Sequence, residues 1–252
     1  MTRPVVELHS VARSFGGIQA VRDVSFKLEE GEIVGLIGPN GAGKTTLVNC
    51  ITGVHPPTSG KVIFDGKDVT RQKPFQAARS GLCRTFQVVQ PFPEMTVMQN
   101  VAAGALFGQK IDRLSQAYDA AYEYLDFVGI ADSADMPASA LTLANRKRLE
   151  LAKSLAMKPR VLMLDEVNAG LNSAEINGAL ELIKKISERG VSIIIIEHLM
   201  KVIMTLSQRI IVLHHGELIA EGDPQQVVDD PRVVEAYLGE KFAKRLTEEN
   251  HG

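Results

Sequence analysis

The segment Gly38-Pro39-Asn40-Gly41-Ala42-Gly43-Lys44-Thr45 follows directly on the unbroken apolar run Ile33-Val34-Gly35-Leu36-Ile37, and it constrains the fold more than any other stretch. Such a run reads as a strand buried on both faces, the pattern of a parallel sheet. The residues after it match GxxxxGK[ST], and a helix is expected to begin near Lys44. Glycines let backbone N–H groups turn inward around a polyphosphate, because no Cβ blocks the approach or a positive φ. The helix start adds the positive end of its dipole. Lys44 can reach the β and γ phosphates, the Thr45 hydroxyl can ligate Mg²⁺, and Thr46 can add a phosphate contact. The ligand class is a nucleoside triphosphate. The motif by itself leaves ATP or GTP, kinase or motor, open.

The rest of the chain supplies the frame. Strands are expected at Val5–Leu8 and Val24–Leu28, and Lys61–Phe64 with Lys67–Val69 flank Asp65-Gly66 as a hairpin. Apolar spacing of three and four predicts helices over Val97–Leu106, Ser115–Val128, Arg148–Met157 and Ser173–Glu188. Buried-type strands are predicted at Val161–Leu164 and Val191–Ile196, and a last hairpin turns at His215-Gly216 between Ile210–Leu213 and Glu217–Ala220. The end from Pro231 to Gly252 is charged and partly helical in pattern. Small strands, a strand–loop–helix, a helical insert and then alternating strands and helices predict an α/β fold. It has a parallel core sheet, an N-terminal antiparallel part and a helical subdomain.

Val161-Leu162-Met163-Leu164-Asp165-Glu166 is an apolar strand that ends in two carboxylates. Ligands of parallel sheets bind at strand carboxyl ends, which suits Asp165 to hold Mg²⁺ through water. Glu166 is one residue further on and can polarise an attacking water. Taken without the phosphate loop, the same residues read as an acidic strand exit capping the next helix. The strand Ile193–Ile196 leads to Glu197-His198, where His198 can contact the γ-phosphate and hold a water in line. Gln87 in Arg84-Thr85-Phe86-Gln87 is unremarkable alone and gains value from its order along the chain. Phe15 in Ser14-Phe15-Gly16-Gly17 can stack on a base or serve as an edge residue of the core.

Composition limits the partners. The 252 residues are 45% hydrophobic and 23% charged, as in ordinary globular proteins, and their net charge of -2 gives no general argument for nucleic acid or an acidic membrane surface. Cys50 and Cys83 stand in no metal-binding or redox spacing and read as inert thiols of a reducing cytosol. No secretory signal is visible at the start, and the most apolar segment, Val191–Ile196, is far short of the roughly 20 residues that span a bilayer.

In this order the motifs resemble the ATP-binding cassette (ABC) family of P-loop NTPases, over about residues 4–240. The resemblance implies an ABC ATPase using ATP and Mg²⁺, with the helical subdomain at about 88–158 and a charged tail at 241–252. Phe15 falls where the family has its adenine-stacking aromatic, and Gly38 to Thr46 is its phosphate loop. Gln87 matches the glutamine that links Mg²⁺ and water to the transporter-contacting subdomain. Asp165 matches the Mg²⁺-binding aspartate, Glu166 the catalytic glutamate and His198 the switch histidine. Arg84-Thr85-Phe86-Gln87 before Glu94-Met95-Thr96-Val97, then Ala169-Gly170-Leu171-Asn172, and the ending Glu235-Ala236-Tyr237-Leu238-Gly239-Glu240 resemble the ATPases of branched-chain amino acid importers. That branch implies two ATP-binding subunits, identical or different, on two membrane permease subunits at the cytoplasmic face. An external binding protein delivers a small solute.

The family signature LSGGQ is degenerate here, as Leu141-Thr142-Leu143-Ala144-Asn145. In the family each signature covers the ATP held by the other subunit's phosphate loop. Thr142 keeps a hydroxyl, whereas Ala144 adds a methyl where glycine lets the backbone approach a phosphate. A lost donor to developing charge costs about 3 kcal/mol, on the order of a hundredfold in rate. The expectation is an asymmetric pair, in which the site on Lys44, Asp165, Glu166 and His198 is active and the site covered by Ala144 is slow. A soluble ABC ATPase without a membrane partner, and a regulatory module that barely hydrolyses, are the competing readings. A single cassette without a coiled-coil insert argues against the first, and Glu166 with His198 against the second.

Overall fold

The computed structural model describes residues 3–85, 91–109 and 111–238. Along the chain run β1 (Pro4–Phe15), β2 (Ile18–Glu29), β3 (Ile33–Ile37), α1 (Lys44–Ile51), β4 (Ser59–Phe64), β5 (Lys67–Asp68), α2 (Pro74–Ser80) and β6 (Leu82–Arg84). They continue with α3 (Val97–Gln109), α4 (Leu114–Val128), α5 (Leu143–Ala156), β7 (Val161–Asp165), α6 (Ser173–Glu188) and β8 (Ser192–Ile196). The last are α7 (Met200–Leu206), β9 (Arg209–His214), β10 (Glu217–Gly222), α8 (Pro224–Val228) and α9 (Pro231–Leu238). The chain forms two compact units that divide between Gln72 and Lys73 and again inside β8, between Ile193 and Ile194.

The first unit holds the two chain ends. Its antiparallel sheet has the order β2-β1-β4-β5. The strands β1 and β2 are each far longer than the sequence pattern predicts. Register shifts between Leu8 and Val11 and again around Arg13 break the alternation, so apolar spacing alone reveals only part of each strand. Val6, Leu8, Val11, Val21, Val24 and Leu28 are buried along them. In the same unit β3 runs parallel to β9, and β10 returns antiparallel to β9 through the turn at His215-Gly216. Every residue of β3 is buried, as its unbroken apolar run predicts.

The second unit carries the helical insert. Its strands β6 and β7 pair in parallel, with Leu82 opposite Val161 and Arg84 opposite Met163. All of β7 is buried, including Asp165 at its carboxyl end. The helices α3, α4 and α5 pack on one another through Val101, Ala105, Ala121, Leu125, Leu149 and Ala152, all buried. Glycines of α3 allow a close approach to the end of α5: a Cβ at Gly104 would stand 2.6 Å from the Lys153 carbonyl oxygen, and one at Gly108 would stand 2.5 Å from the Met157 Cα. The helix α6 is set by its capping box. The Asn172 side chain accepts from the Ala174 and Glu175 N–H groups at 3.0 Å, and the Glu175 carboxylate accepts from the Asn172 N–H at 2.9 Å. It buries Leu180, Leu182, Ile183 and Ile186.

Candidate active site

The phosphate loop lies in the first unit, and its glycines are required by geometry at both ends. Gly38 has φ 147°, and a Cβ there would stand 2.1 Å from the Leu213 carbonyl oxygen. Gly43 has φ 102°, and a Cβ would stand 2.5 Å from the Ala20 carbonyl oxygen. No side chain fits either approach. Between them the Ala42 N–H donates to the Pro39 carbonyl at 3.1 Å, and the Gly216 N–H donates to the Ala42 carbonyl at 3.0 Å, so the β9–β10 turn braces the loop. Lys44 opens α1 with its side chain folded inward. Its Nζ donates to the Gly38 and Pro39 carbonyls at 2.6 and 3.0 Å, and the residue is buried. The ammonium therefore stands inside the curve of the loop, while Asn40, Gly41 and Thr45 face solvent and Thr46 is half-buried. Gly43 caps α1 without a side-chain hydrogen bond. An α-helix start leaves backbone donors without intrahelical partners, which favours an anion there.

Three further residues of interest, Tyr237, Phe15 and His198, belong to the same unit as this loop. Burial raises the Tyr237 phenol above its ordinary pKa, and a hydrogen bond with the Gly38 backbone pulls it back down. Phe15 ends β1 with its ring half-exposed. The Arg13 guanidinium lies 4.6 Å from the ring centroid, and His55 meets the ring edge-on at 5.4 Å. Arg13 is itself held by the Pro56 carbonyl at 2.7 Å. A cation over one face of the ring leaves the other for a flat base. His198 follows β8 and is exposed, beside a buried Glu197.

The carboxylate pair and the signature lie together in the second unit. Asp165 ends β7 only 4% exposed, and its Oδ2 accepts from the Arg84 guanidinium at 2.5 Å. The Asp165 N–H donates to the Thr85 hydroxyl at 3.3 Å, and the Thr85 N–H donates to the Met163 carbonyl at 2.9 Å. The exit of β6 thus brackets the end of β7. Sequence reasoning did not single out Arg84 as a partner of Asp165. The two are 81 residues apart, and only strand pairing brings them together. Glu166 is half-buried and adopts a left-handed backbone with φ 50°. For a residue with a Cβ that conformation costs about 1–2 kcal/mol and persists only where surroundings enforce it. It turns the chain sharply after Asp165, at the carboxyl end of β7.

The helix α5 starts at Leu143, five positions before the start predicted from apolar spacing. Thr142 is its N-cap, and its hydroxyl oxygen accepts from the Asn145 N–H at 3.3 Å. The degenerate signature is therefore a capped first turn, with Thr142 and Leu143 exposed and Ala144 half-buried. Gln87 lies outside the described residues, as does the tail 241–252. Asp165, Glu166, Thr142 and Ala144 belong to one unit, and Phe15, the phosphate loop and His198 to the other.

Comparison with known proteins identifies the family. The pattern of the ABC transporter family matches residues 21–169, and that of the branched-chain amino acid ATP-binding cassette transporter C-terminal segment matches residues 217–243. The chain is 40% identical over 254 aligned residues to the high-affinity branched-chain amino acid transport ATP-binding protein BraF of Pseudomonas aeruginosa, covering 95% of this chain and 100% of the relative. It is 39% identical to the corresponding protein LivG of Escherichia coli K12 over the same shares. Among solved structures, the ADP conformation of an ATP-binding cassette of an ABC transporter superposes with a TM-score of 0.86 at 29% identity, covering 95% of this chain and 100% of that one. A dimeric bacterial ABC transporter cassette superposes with a TM-score of 0.77 at 25% identity, over 87% of this chain and 98% of that one. The chain belongs to the ABC transporter family of ATP-binding cassettes. It is an ATP-binding and ATP-hydrolysing subunit of such a transporter, in a family whose ATP-binding subunits work with membrane permeases and dimerise. No helix among the described residues is long and apolar enough to cross a membrane.

Proposed function

We propose that this subunit energises uptake of a branched-chain amino acid or a related small solute. The relatives BraF and LivG carry that substrate in their names, and their likeness extends over nearly the whole chain. In this reading the chain sits peripherally on the cytoplasmic face, bound to separate permease subunits. It pairs there with a second ATP-binding subunit, and an external solute-binding protein delivers the cargo. The observation that carries the nucleotide chemistry is the inward-folded Lys44, held at 2.6 Å by the Gly38 carbonyl at the start of α1. A β,γ-phosphate can replace those carbonyls as the acceptor of its ammonium. The loop from Gly38 through Pro39, Asn40, Gly41, Ala42 and Gly43 supplies backbone donors, Thr46 adds a contact, and Phe15 stacks on adenine.

Hard oxygen donors are the right chemistry for Mg²⁺, and the Thr45 hydroxyl, the Asp165 carboxylate and the Gln87 amide are of that type. The ion would neutralise charge on the phosphates as it does in phosphate-loop NTPases generally. Glu166 accepts a proton from the attacking water, and His198 orients that water and the γ-phosphate. Thr142 and Ala144 cover the nucleotide bound by the partner subunit. The test is hydrolysis and uptake in the assembled transporter. Lys44→Ala should lose ATP binding and leucine uptake together, and Glu166→Gln should keep binding while hydrolysis falls to a small residual rate. Undiminished hydrolysis in Glu166→Gln would remove Glu166 as the base, and intact leucine uptake in Lys44→Ala would remove the proposed coupling.

A further inference from the structure

Glu166 hangs on a turn whose backbone is held from the signature helix. Lys147 is the fifth residue of α5 and is only 8% exposed. Its Nζ donates to the Val167 carbonyl at 2.8 Å and to the Glu166 carbonyl at 3.3 Å. The Glu166 carbonyl also accepts from the Ala169 N–H at 3.1 Å, closing the turn. A second contact ties the same segments. Leu143, the first residue of α5, sits so close to Gly170 that a Cβ there would lie 3.0 Å from its Cδ2. A small cleft is lined by Ala144, Lys147, Val167 and Leu171, together with residues of α6, so the signature turn and the turn after Glu166 border one feature.

We propose that Lys147 is a positioning residue for hydrolysis: its ammonium clamps the Glu166–Val167 peptides and so fixes the left-handed turn that aims the Glu166 carboxylate. The inference rests on the reading of Glu166 as general base. It has a physical motive beyond loop packing. A positive φ at a residue with a Cβ needs enforcement, and a charged donor shared by two consecutive carbonyls supplies it. Because the clamp is rooted one helical turn beyond Thr142 and Ala144, a shift of the signature turn moves the ammonium and, through it, Glu166. The chain's own base is thereby linked to the part of the chain that covers its partner's nucleotide.

Full-length Lys147→Met, Lys147→Arg and Glu166→Gln, with the Lys147→Met/Glu166→Gln pair, test this in two readouts. The first is amide hydrogen exchange of the peptide spanning residues 164–171 without nucleotide, which does not depend on turnover. Lys147→Met should exchange there roughly tenfold faster or more, Lys147→Arg should return toward the wild-type rate, and the rest of α5 should keep its protection. The second is ATP hydrolysis in the assembled transporter. Lys147→Met should lower kcat roughly tenfold or more with KM within about twofold, since a misplacement of about 1 Å can cost on the order of a hundredfold. It should add nothing further to Glu166→Gln. Wild-type exchange at 164–171 in Lys147→Met, loosening spread along α5, failure of Lys147→Arg to restore, or an equal loss on top of Glu166→Gln would each overturn the proposal. Full hydrolysis by Glu166→Gln would instead overturn the assignment of the base, and the exchange data would still decide whether Lys147 holds the turn.

Discussion

The Arg84–Asp165 pair allows a stability prediction whose size follows from burial. The two side chains are 9% and 5% exposed, and their closest atoms are 2.5 Å apart. Lys at position 84 would keep a positive charge, whereas Met removes it. Arg84→Met leaves the Asp165 carboxylate buried without its guanidinium, and breaking a buried pair from one side costs about 3–5 kcal/mol. For a chain of 252 residues, with about 2–4 °C per kcal/mol, the midpoint of unfolding should fall on the order of 10 °C. The double variant Arg84→Met/Asp165→Asn removes both charges and should recover most of the loss, because the penalty belongs to the uncompensated charge rather than to lost contacts. Urea and thermal unfolding of the wild type, both single variants and the double variant give the coupling directly. A fall of less than about 2 °C in Arg84→Met, or a double variant less stable than Arg84→Met, would refute the argument. The first result would mean that water already screens Asp165, and the second that Arg84 acts through packing alone.

Gly43→Ala should weaken ATP binding at least about tenfold in a fluorescent-nucleotide titration, because its Cβ must displace the Ala20 carbonyl from 2.5 Å at a φ of 102°. Replacing Leu143-Ala144 by Gly-Gly should speed turnover of the assembled transporter, most clearly at sub-saturating ATP, if Ala144 slows the site it covers; unchanged turnover at low ATP removes the proposed asymmetry. Burial pushes the Cys50 thiol up to about 11 and the Cys83 thiol up to about 12 from the ordinary 9.0, so both should resist iodoacetamide at pH 8 in the folded chain and react in urea, as read by mass spectrometry. Both folded values lie above the unfolded one, so the thiols' contribution to stability is intact below about pH 9 and is lost as the pH rises through 11 and 12.

Much of the fold is legible in the sequence wherever one local signal suffices. The strand β3 reads directly from an unbroken apolar run, and α6 reads as Ser173–Glu188 from its apolar spacing, bounds that the structure reproduces with a capping box at Asn172. The long strands β1 and β2 read only in part. Ser10 and Asp23 sit at positive φ inside them, and such irregularities reset the alternation on which the reading depends. The early start of α5 was hidden by Asn145-Arg146-Lys147-Arg148, a polar run with no stripe to count. The three-residue β6 has too little pattern to register, and it exists through pairing with β7. The same distinction divides the site. Phosphate-loop residues are contiguous and carry their chemistry in their order. Arg84 and Lys147 act on residues 81 and 20 positions away, and nothing local to either marks the carbonyl or carboxylate it will meet.

The structure also changes how the degenerate signature bears on rate. Glycine in a signature has two separable uses, close approach and free donors, and substitution by alanine removes only the first. At a helix start the donors are backbone N–H groups, which do not depend on the side chain. Thr142 spends its oxygen on the Asn145 N–H at 3.3 Å, but its hydroxyl hydrogen can still be donated. The N–H groups of Leu143 and Ala144 lie in the first turn ahead of that capped position, where the dipole favours an anion. An exposed Leu143 and a half-buried Ala144 therefore leave the electrostatic part of the signature intact and add bulk to it. A bulky but still electropositive turn is expected to weaken closure over the partner's nucleotide more than it weakens stabilisation of charge once closed. In kinetic terms the partner's site should show a raised KM before it shows a lowered kcat.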